Sequence, residues 1–124
     1  CVPIFTQRAG ITALESCKKD LIANRETLLD RSDAFIEIIN QSKYIDCHSS
    51  DIGLYAFPKI NCGNIPADEI ANILLQENGI ACVPGSAFGE LSIDHLRFSM
   101  NQPKNLLIDI ANKIVSTLDK VCAS

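Results

Sequence analysis

The chain has 124 residues, of which 47% are hydrophobic and 21% are charged, and its formal net charge is −4 at pH 7. This length and composition predict a single folded domain and exclude an intrinsically disordered chain. The acidic balance argues against nucleic acid and against an anionic membrane surface as partners.

No apolar run approaches the roughly 20 residues that a membrane-spanning helix needs, and the amino-terminal stretch lacks the pattern of a secretory signal. We therefore expect a cytoplasmic protein. The chain begins at Cys1, and its only methionine is Met100. For this reason we also expect a chain that was processed or cut from a longer protein.

The cysteines show neither a CxxC pair nor a Cys/His cluster with zinc spacing, which argues against a metal site. They are Cys1, Cys17, Cys47, Cys62, Cys82 and Cys122. In a chain of this size without a secretory signal, we expect free thiols that pack as small hydrophobic groups.

Two helices are predicted before residue 42. Residues 6–19 have mixed polarity with a small apolar side. Residues 20–41 carry apolar side chains at steps near three, four and seven, which is typical of one stripe along a long helix. That stripe consists of Leu21, Ile22, Leu28, Leu29, Phe35, Ile36 and Ile39. We interpret residues 1–41 as a helical arm followed by a long helix.

The pattern changes after residue 41. Residues 44–47 and 54–57 favour strands, and Pro58 predicts that the second strand ends, bulges or lies at an edge there. A helix is predicted to start at Pro66, because proline suits a first helical turn, and to stop at Gly79, because glycine suits a left-handed cap.

Two further strands and a last helix follow. Residues 80–83 favour an apolar strand, residues 84–89 a loop and residues 95–100 a strand with strict alternation, and a helix runs from Pro103 to about residue 121.

This order of elements predicts an α+β fold, with a small sheet of about four strands covered by helices. Residues 1–124 are expected to form one domain, in which residues 42–124 make an α+β sandwich.

The strand at residues 95–100 presents one arginine to the less apolar face of the sheet. Alternation sends Leu96, Phe98 and Met100 to one face and His95, Arg97 and Ser99 to the other. A planar guanidinium can bind a carboxylate through two parallel hydrogen bonds. The alternative is that Arg97 lies on a solvated face and pairs internally with Asp94 or Glu90.

Other chemistry has weaker support in the sequence. His48 and His95 have no visible relay partner, so they are interpreted as surface or packing residues. Ser86 is not set between glycines at a strand-to-helix turn, and Gly85 and Gly89 do not form a phosphate-binding motif. We assign no catalytic residue, no cofactor-binding residue and no metal ligand to this chain.

Several segments, in this order, resemble class I/II aminotransferases, and the resemblance covers nearly the whole chain. They are Gln7 with residues 9–14, then residues 53–58, 74–80, 83–89 and 96–99, and the most specific are the loop VPGSAFG and the downstream LRFS strand. The chain is similar to the carboxy-terminal small domain of these pyridoxal-phosphate enzymes of fold type I.

The resemblance implies that Arg97 binds the α-carboxylate of an amino acid or 2-oxo acid substrate, with Tyr55 and Phe88 near the pocket mouth. It also implies that the lysine and the other groups that hold pyridoxal 5'-phosphate belong to a missing large domain, and that the parent enzyme is a homodimer. On this basis the piece alone is expected to be inactive and to bind no cofactor.

Two other readings remain open. The chain is alternatively a self-contained regulatory or interaction module in which Arg97 binds a small acid. A small domain from another fold-type I enzyme, such as a lyase or a synthase, would carry similar motifs.

Overall fold

The computed structural model describes residues 1–51 and 53–123, which form helices and short strands. The helices are α1 (Ile4–Ser16), α2 (Lys18–Ile39), α3 (Ala67–Asn78) and α4 (Lys104–Cys122). The strands are β1 (Ile45–Asp46), β2 (Tyr55–Ala56), β3 (Lys59–Ile60), β4 (Val83–Pro84) and β5 (Leu96–Ser99). Two 3-10 turns, Gly85–Phe88 and Glu90–Ser92, lie between β4 and β5.

The strands form two small antiparallel ladders. In one, β1 pairs with β3, and in the other β5 lies between β2 and β4. A bridge between Lys59 and His95 connects the two ladders. This arrangement confirms the predicted α+β class with a small sheet.

The core lies between the central strand and the helices. Packing of α2 against α4 forms its main helical contact, and the Phe35 ring of α2 lies 5.6 Å from the Phe98 ring of β5. Fully buried large side chains include Phe35, Ile39, Ile70, Leu74, Leu96, Met100, Ile114 and Leu118. Burial of each such side chain stabilises the fold by about 1.5–3 kcal/mol.

The amino-terminal helices are less buried than the core elements. No residue of α1 is buried, and in α2 the side chains of Leu21 and Ile22 are exposed while Phe35 and Ile39 are buried. The predicted stripe is therefore present on α2, but only its carboxy-terminal half contacts the core.

Two strand predictions needed correction. Strand β3 was not predicted. Only Phe57 and Pro58 separate it from β2, and Pro58 was expected to end the strand or to form a bulge. Strand β4 begins at residue 83 rather than 80. The reason is that the Ile80 N–H donates to the Leu74 carbonyl oxygen at 3.1 Å and completes the cap of α3 around Gly79, whose φ is +67°.

The expectation of free thiols was wrong for one pair of cysteines. Cys62 and Cys122 form a disulfide, with their Cα atoms 5.0 Å apart and 60 positions apart in sequence. Only the fold brings the last turn of α4 beside the segment that precedes α3, so sequence spacing gave no signal. Cys1, Cys17, Cys47 and Cys82 are free thiols.

Candidate functional site

Strand β5 places Arg97 at the edge of the core. The alternation is as predicted: Leu96 and Phe98 are buried, while Arg97 between them is half-buried on the opposite face. In the ladder, Val83 of β4 lies opposite Arg97. Arg97 is thus held by the central strand of the three-stranded ladder.

The segment 83–89 packs closely on the start of β5. The Gly85 N–H donates to the His95 carbonyl oxygen at 2.8 Å, and a Cβ at position 85 would overlap the carbonyl oxygen of Ser92. The next residue, Ser86, donates its hydroxyl to Asp68 Oδ1 at 2.7 Å. Glycine is therefore needed at position 85, and the 3-10 turn that begins there places Phe88 beside Arg97.

Two aromatic rings, Tyr55 and Phe88, lie against the guanidinium, and with Phe57, which lines the same pocket, they form the aromatic collar. The Arg97 Cζ atom lies 4.7 Å from the centre of the Tyr55 ring and 4.9 Å from the centre of the Phe88 ring. The Phe57 and Phe88 rings meet edge to face, with centroids 5.7 Å apart and planes at 87°. Contacts of a cation with ring faces, as at Tyr55 and Phe88, are attractive and hold the guanidinium in place.

The collar and Arg97 line an open pocket of about 210 Å³. All three rings are partly exposed, with Phe88 the most exposed at 48%. The sequence resemblance placed Tyr55 and Phe88 near a pocket mouth, and the structure brings both rings to Arg97. It did not single out Phe57, although the signal was present because Tyr55 and Phe57 are two residues apart in one extended segment and share a face.

The Arg97 side chain has neither an ion pair nor a hydrogen bond with any residue in the described ranges 1–51 and 53–123. The internal pairing with Asp94 or Glu90 is therefore not formed. Asp94 instead lies 3.0 Å from Lys59 Nζ and 2.6 Å from His95 Nδ1. The guanidinium donors remain available for an anion from outside this part of the chain.

The charge of Asp94 is stabilised by its neighbours. The hydrogen bond from Lys59 is the main cause that lowers the pKa of the Asp94 carboxyl, and the charges of Lys59 and His95 act in the same direction. Lys59 and Asp94 thus neutralise each other beside the collar, while Arg97 keeps an unpaired charge.

The two histidines differ in burial and in their contacts. The His48 side chain is 94% exposed and approaches Asp46 at 4.0 Å. The His95 ring stacks on Phe57, with centroids 4.9 Å apart and planes at 20°. His48 is a surface residue and His95 a packing residue, as the sequence indicated.

The groups around Arg97 suit a carboxylate, because the collar offers one guanidinium and three rings. The amine of Lys59, beside the collar, is engaged by Asp94. Among the residues that line this pocket, none carries an amine that could form a Schiff base with pyridoxal 5'-phosphate. Within the same residues, no group of three or more His, Cys, Asp and Glu is placed to hold a metal ion, and no helix is long and apolar enough to cross a membrane.

Comparison with known proteins gives consistent matches. The chain is 29% identical to a putative aminotransferase, YugH, of Bacillus subtilis, over 80% of this chain and 25% of that protein. It is 32% identical to the arginine–pyruvate transaminase AruH of Pseudomonas aeruginosa, over 79% of this chain and 25% of that protein. The chain thus spans about a quarter of the length of the curated relatives it matches.

The fold matches solved structures of similar proteins. An aspartate aminotransferase from Rhizobium meliloti superposes with a TM-score of 0.80 at 23% identity, over 93% of this chain and 31% of that one. The sequence model of the family "Aminotransferase class I and II" matches residues 1–114. Because that match covers most of the 124 residues of this chain, the chain belongs to the class I and II aminotransferase family.

Proposed function

We propose that this chain is the carboxy-terminal small domain of a pyridoxal-phosphate-dependent aminotransferase, and that Arg97 binds the α-carboxylate of its substrate. The parent enzyme would transfer an amino group between an amino acid and a 2-oxo acid. The observation that carries the proposal is the guanidinium of Arg97, which lies against two aromatic rings in an open pocket without a partner carboxylate among the described residues.

The geometry suits a carboxylate because the rings cover part of the guanidinium and limit its contact with water. A charged hydrogen bond is stronger where water is restricted. Two parallel N–H donors fix the orientation of a carboxylate as well as its position. An amino acid held at this end has its α-carbon placed at a set distance and angle, which transamination requires.

The cofactor is proposed to be held by the rest of the parent protein. When bound there, pyridoxal 5'-phosphate supplies the electron sink for bond breaking at the α-carbon. The role of this chain is to bind and orient the substrate and to exclude water with the collar. On this proposal the 124-residue chain alone is inactive and binds no cofactor, and the parent is a cytoplasmic homodimer.

Substitution of Arg97 in the full-length protein tests this role. We expect Arg97→Ala to raise KM for the amino acid and to lower kcat/KM by about 1.5–3 kcal/mol, or roughly tenfold to a hundredfold, as the loss of a charged hydrogen bond predicts. Arg25→Ala, which removes an exposed arginine from α2, is the matched control and should leave kcat/KM unchanged. Equal kinetics for Arg97→Ala and Arg25→Ala would reject the proposed role.

Calorimetry of the 124-residue chain separates this proposal from a self-contained small-acid-binding module. The module would bind an amino acid without any cofactor or further domain. The proposed domain shows no saturable binding of the same amino acid, because the other half of its site is supplied from outside these residues.

A further inference from the structure

A cluster of three charged or ionisable side chains lies beside the collar and is not used by the proposed carboxylate site. The Asp94 carboxylate contacts Lys59 Nζ at 3.0 Å through one oxygen and His95 Nδ1 at 2.6 Å through the other. The His95 contact is short, but His95 Nδ1 makes no hydrogen bond within standard geometry. The Asp94 carboxylate, which Lys59 anchors, therefore lies against one edge of the imidazole ring.

Backbone pairing fixes the same cluster. The Ile60 N–H donates to the Asp94 carbonyl oxygen at 2.7 Å, and Lys59 and His95 form the bridge between the two ladders. The His95 side chain is only 25% exposed. The backbone pairing and the low exposure restrict the movement of the His95 imidazole.

One face of the imidazole is covered by the collar. The His95 ring stacks on Phe57, the Phe57 ring meets Phe88 edge to face, and the Phe88 ring lies 4.9 Å from the Arg97 Cζ atom. His95 and Arg97 are thus connected through three consecutive contacts. Aromatic pairs of this kind attract each other beyond the effect of the area that they bury.

We propose that His95 is a positioning residue for substrate binding: its ring, which stacks on Phe57, keeps Phe57 against Phe88 and so keeps the Phe88 ring against Arg97. Phe57 and Phe88 are otherwise partly exposed rings at the rim of an open pocket. Without the imidazole, Phe57 has a free face toward solvent and the Phe88 ring loses its support. The Arg97 guanidinium then gains freedom and water contact, and its bond to a carboxylate weakens.

The test is a double-mutant cycle in the full-length protein, and it rests on the proposed function for its readout. We expect His95→Ala to raise KM for the amino acid by roughly threefold to tenfold with a smaller change in kcat. In an Arg97→Ala background the same substitution should have less than about a twofold effect on KM, because the guanidinium that the collar positions is gone. A purely structural role for His95 would lower activity equally in both backgrounds.

Two further variants define what the ring does. His95→Phe keeps an aromatic ring on Phe57 and should restore KM to within about twofold of the wild-type value. Phe57→Leu removes the middle ring and should raise KM as His95→Ala does, which keeps the proposal testable if His95→Ala does not fold. His48→Ala, which removes a solvated imidazole, should have no effect.

The outcomes are distinct for the two proposals. If Arg97→Ala leaves KM unchanged, the proposed function fails. If Arg97→Ala raises KM but His95→Ala and Phe57→Leu do not, or if their effects persist in the Arg97→Ala background, only the positioning role of His95 is overturned.

Discussion

The backbone N–H of Gly85 donates a hydrogen bond of 2.8 Å to the carbonyl oxygen of His95. Gly85 starts the 3-10 turn that ends at Phe88, and His95 directly precedes the strand that carries Arg97. This hydrogen bond connects the turn to the strand. It therefore helps to place the Phe88 ring beside the Arg97 guanidinium.

Gly85→Ala should disrupt this connection. A Cβ at position 85 would overlap the Ser92 carbonyl oxygen and approach the His95 carbonyl oxygen at 2.8 Å, and both of these are backbone atoms. We expect a loss of about 1–3 kcal/mol in the free energy of unfolding, measured by urea denaturation. Gly10→Ala is the control: nothing lies within 4 Å of its Cβ in α1, so it should stabilise by about 0.5–1 kcal/mol. Equal stability of the two variants would contradict the tight packing at residue 85.

Reduction of the Cys62–Cys122 disulfide should lower the melting temperature. The bond closes a loop across 60 positions, and the entropy removed from the unfolded chain corresponds to about 4 kcal/mol. We expect dithiothreitol to lower the melting temperature by roughly 10–15 °C in a chain of this size. The double variant Cys62→Ser/Cys122→Ser should melt at one temperature with and without reductant. A wild-type chain insensitive to reductant would show that the bond is not formed.

The free thiols should differ strongly in reactivity. Burial raises the pKa of the Cys82 thiol to about 11, so only about one Cys82 in a thousand is a thiolate at about pH 8. Cys1 is exposed. We expect iodoacetamide at that pH to label Cys1 well before Cys82, as followed by mass spectrometry of the peptides, and the two rates to converge in urea. Equal rates in the folded chain would contradict the burial of Cys82.

Asp94 should make stability depend on pH in the acidic range. Its pKa is lowered in the fold from the ordinary value of 3.8, mainly by the hydrogen bond from Lys59. The unfolded chain therefore takes up the proton first, so the stabilisation is complete above the unfolded pKa and is lost as the pH falls through the lower folded pKa.

The check is the urea midpoint of Asp94→Asn against wild type. We expect the wild type to be more stable at about pH 6 and the difference to shrink below about pH 4. Asp109→Asn, at an exposed position of α4, should match the wild type at both pH values. A difference between wild type and Asp94→Asn that grows on acidification would contradict a lowered pKa of Asp94 in the folded chain.

Local patterns predicted most of the helices and the key strand. The stop of α3 at Gly79 and the alternation around Arg97 follow from backbone conformation and from burial on one face, both of which are local properties. The start of β4 was misplaced, because Ile80 belongs to the cap of the preceding helix. The sequence alone does not show whether an apolar residue next to a helix cap belongs to that helix or to the following strand.

The candidate site depended on contacts that sequence order does not reveal. Arg97 was found by its place in a strand and by family resemblance, but the Phe57–His95 stack and the Cys62–Cys122 bond join residues from different elements. Asp94 was expected as a possible partner of Arg97, and it binds Lys59 and His95 instead. Only the three-dimensional structure decides between such partners.

The central claim is that Arg97 binds a carboxylate, and the most direct test changes the carboxylate rather than the protein alone. kcat/KM is measured in the full-length protein for an amino acid and for its primary amide, with wild type and Arg97→Ala. We expect the wild type to prefer the acid by roughly tenfold to a hundredfold, as a charged hydrogen bond predicts, and Arg97→Ala to lose that preference. An Arg97→Ala enzyme that keeps the full preference for the acid would contradict the claim.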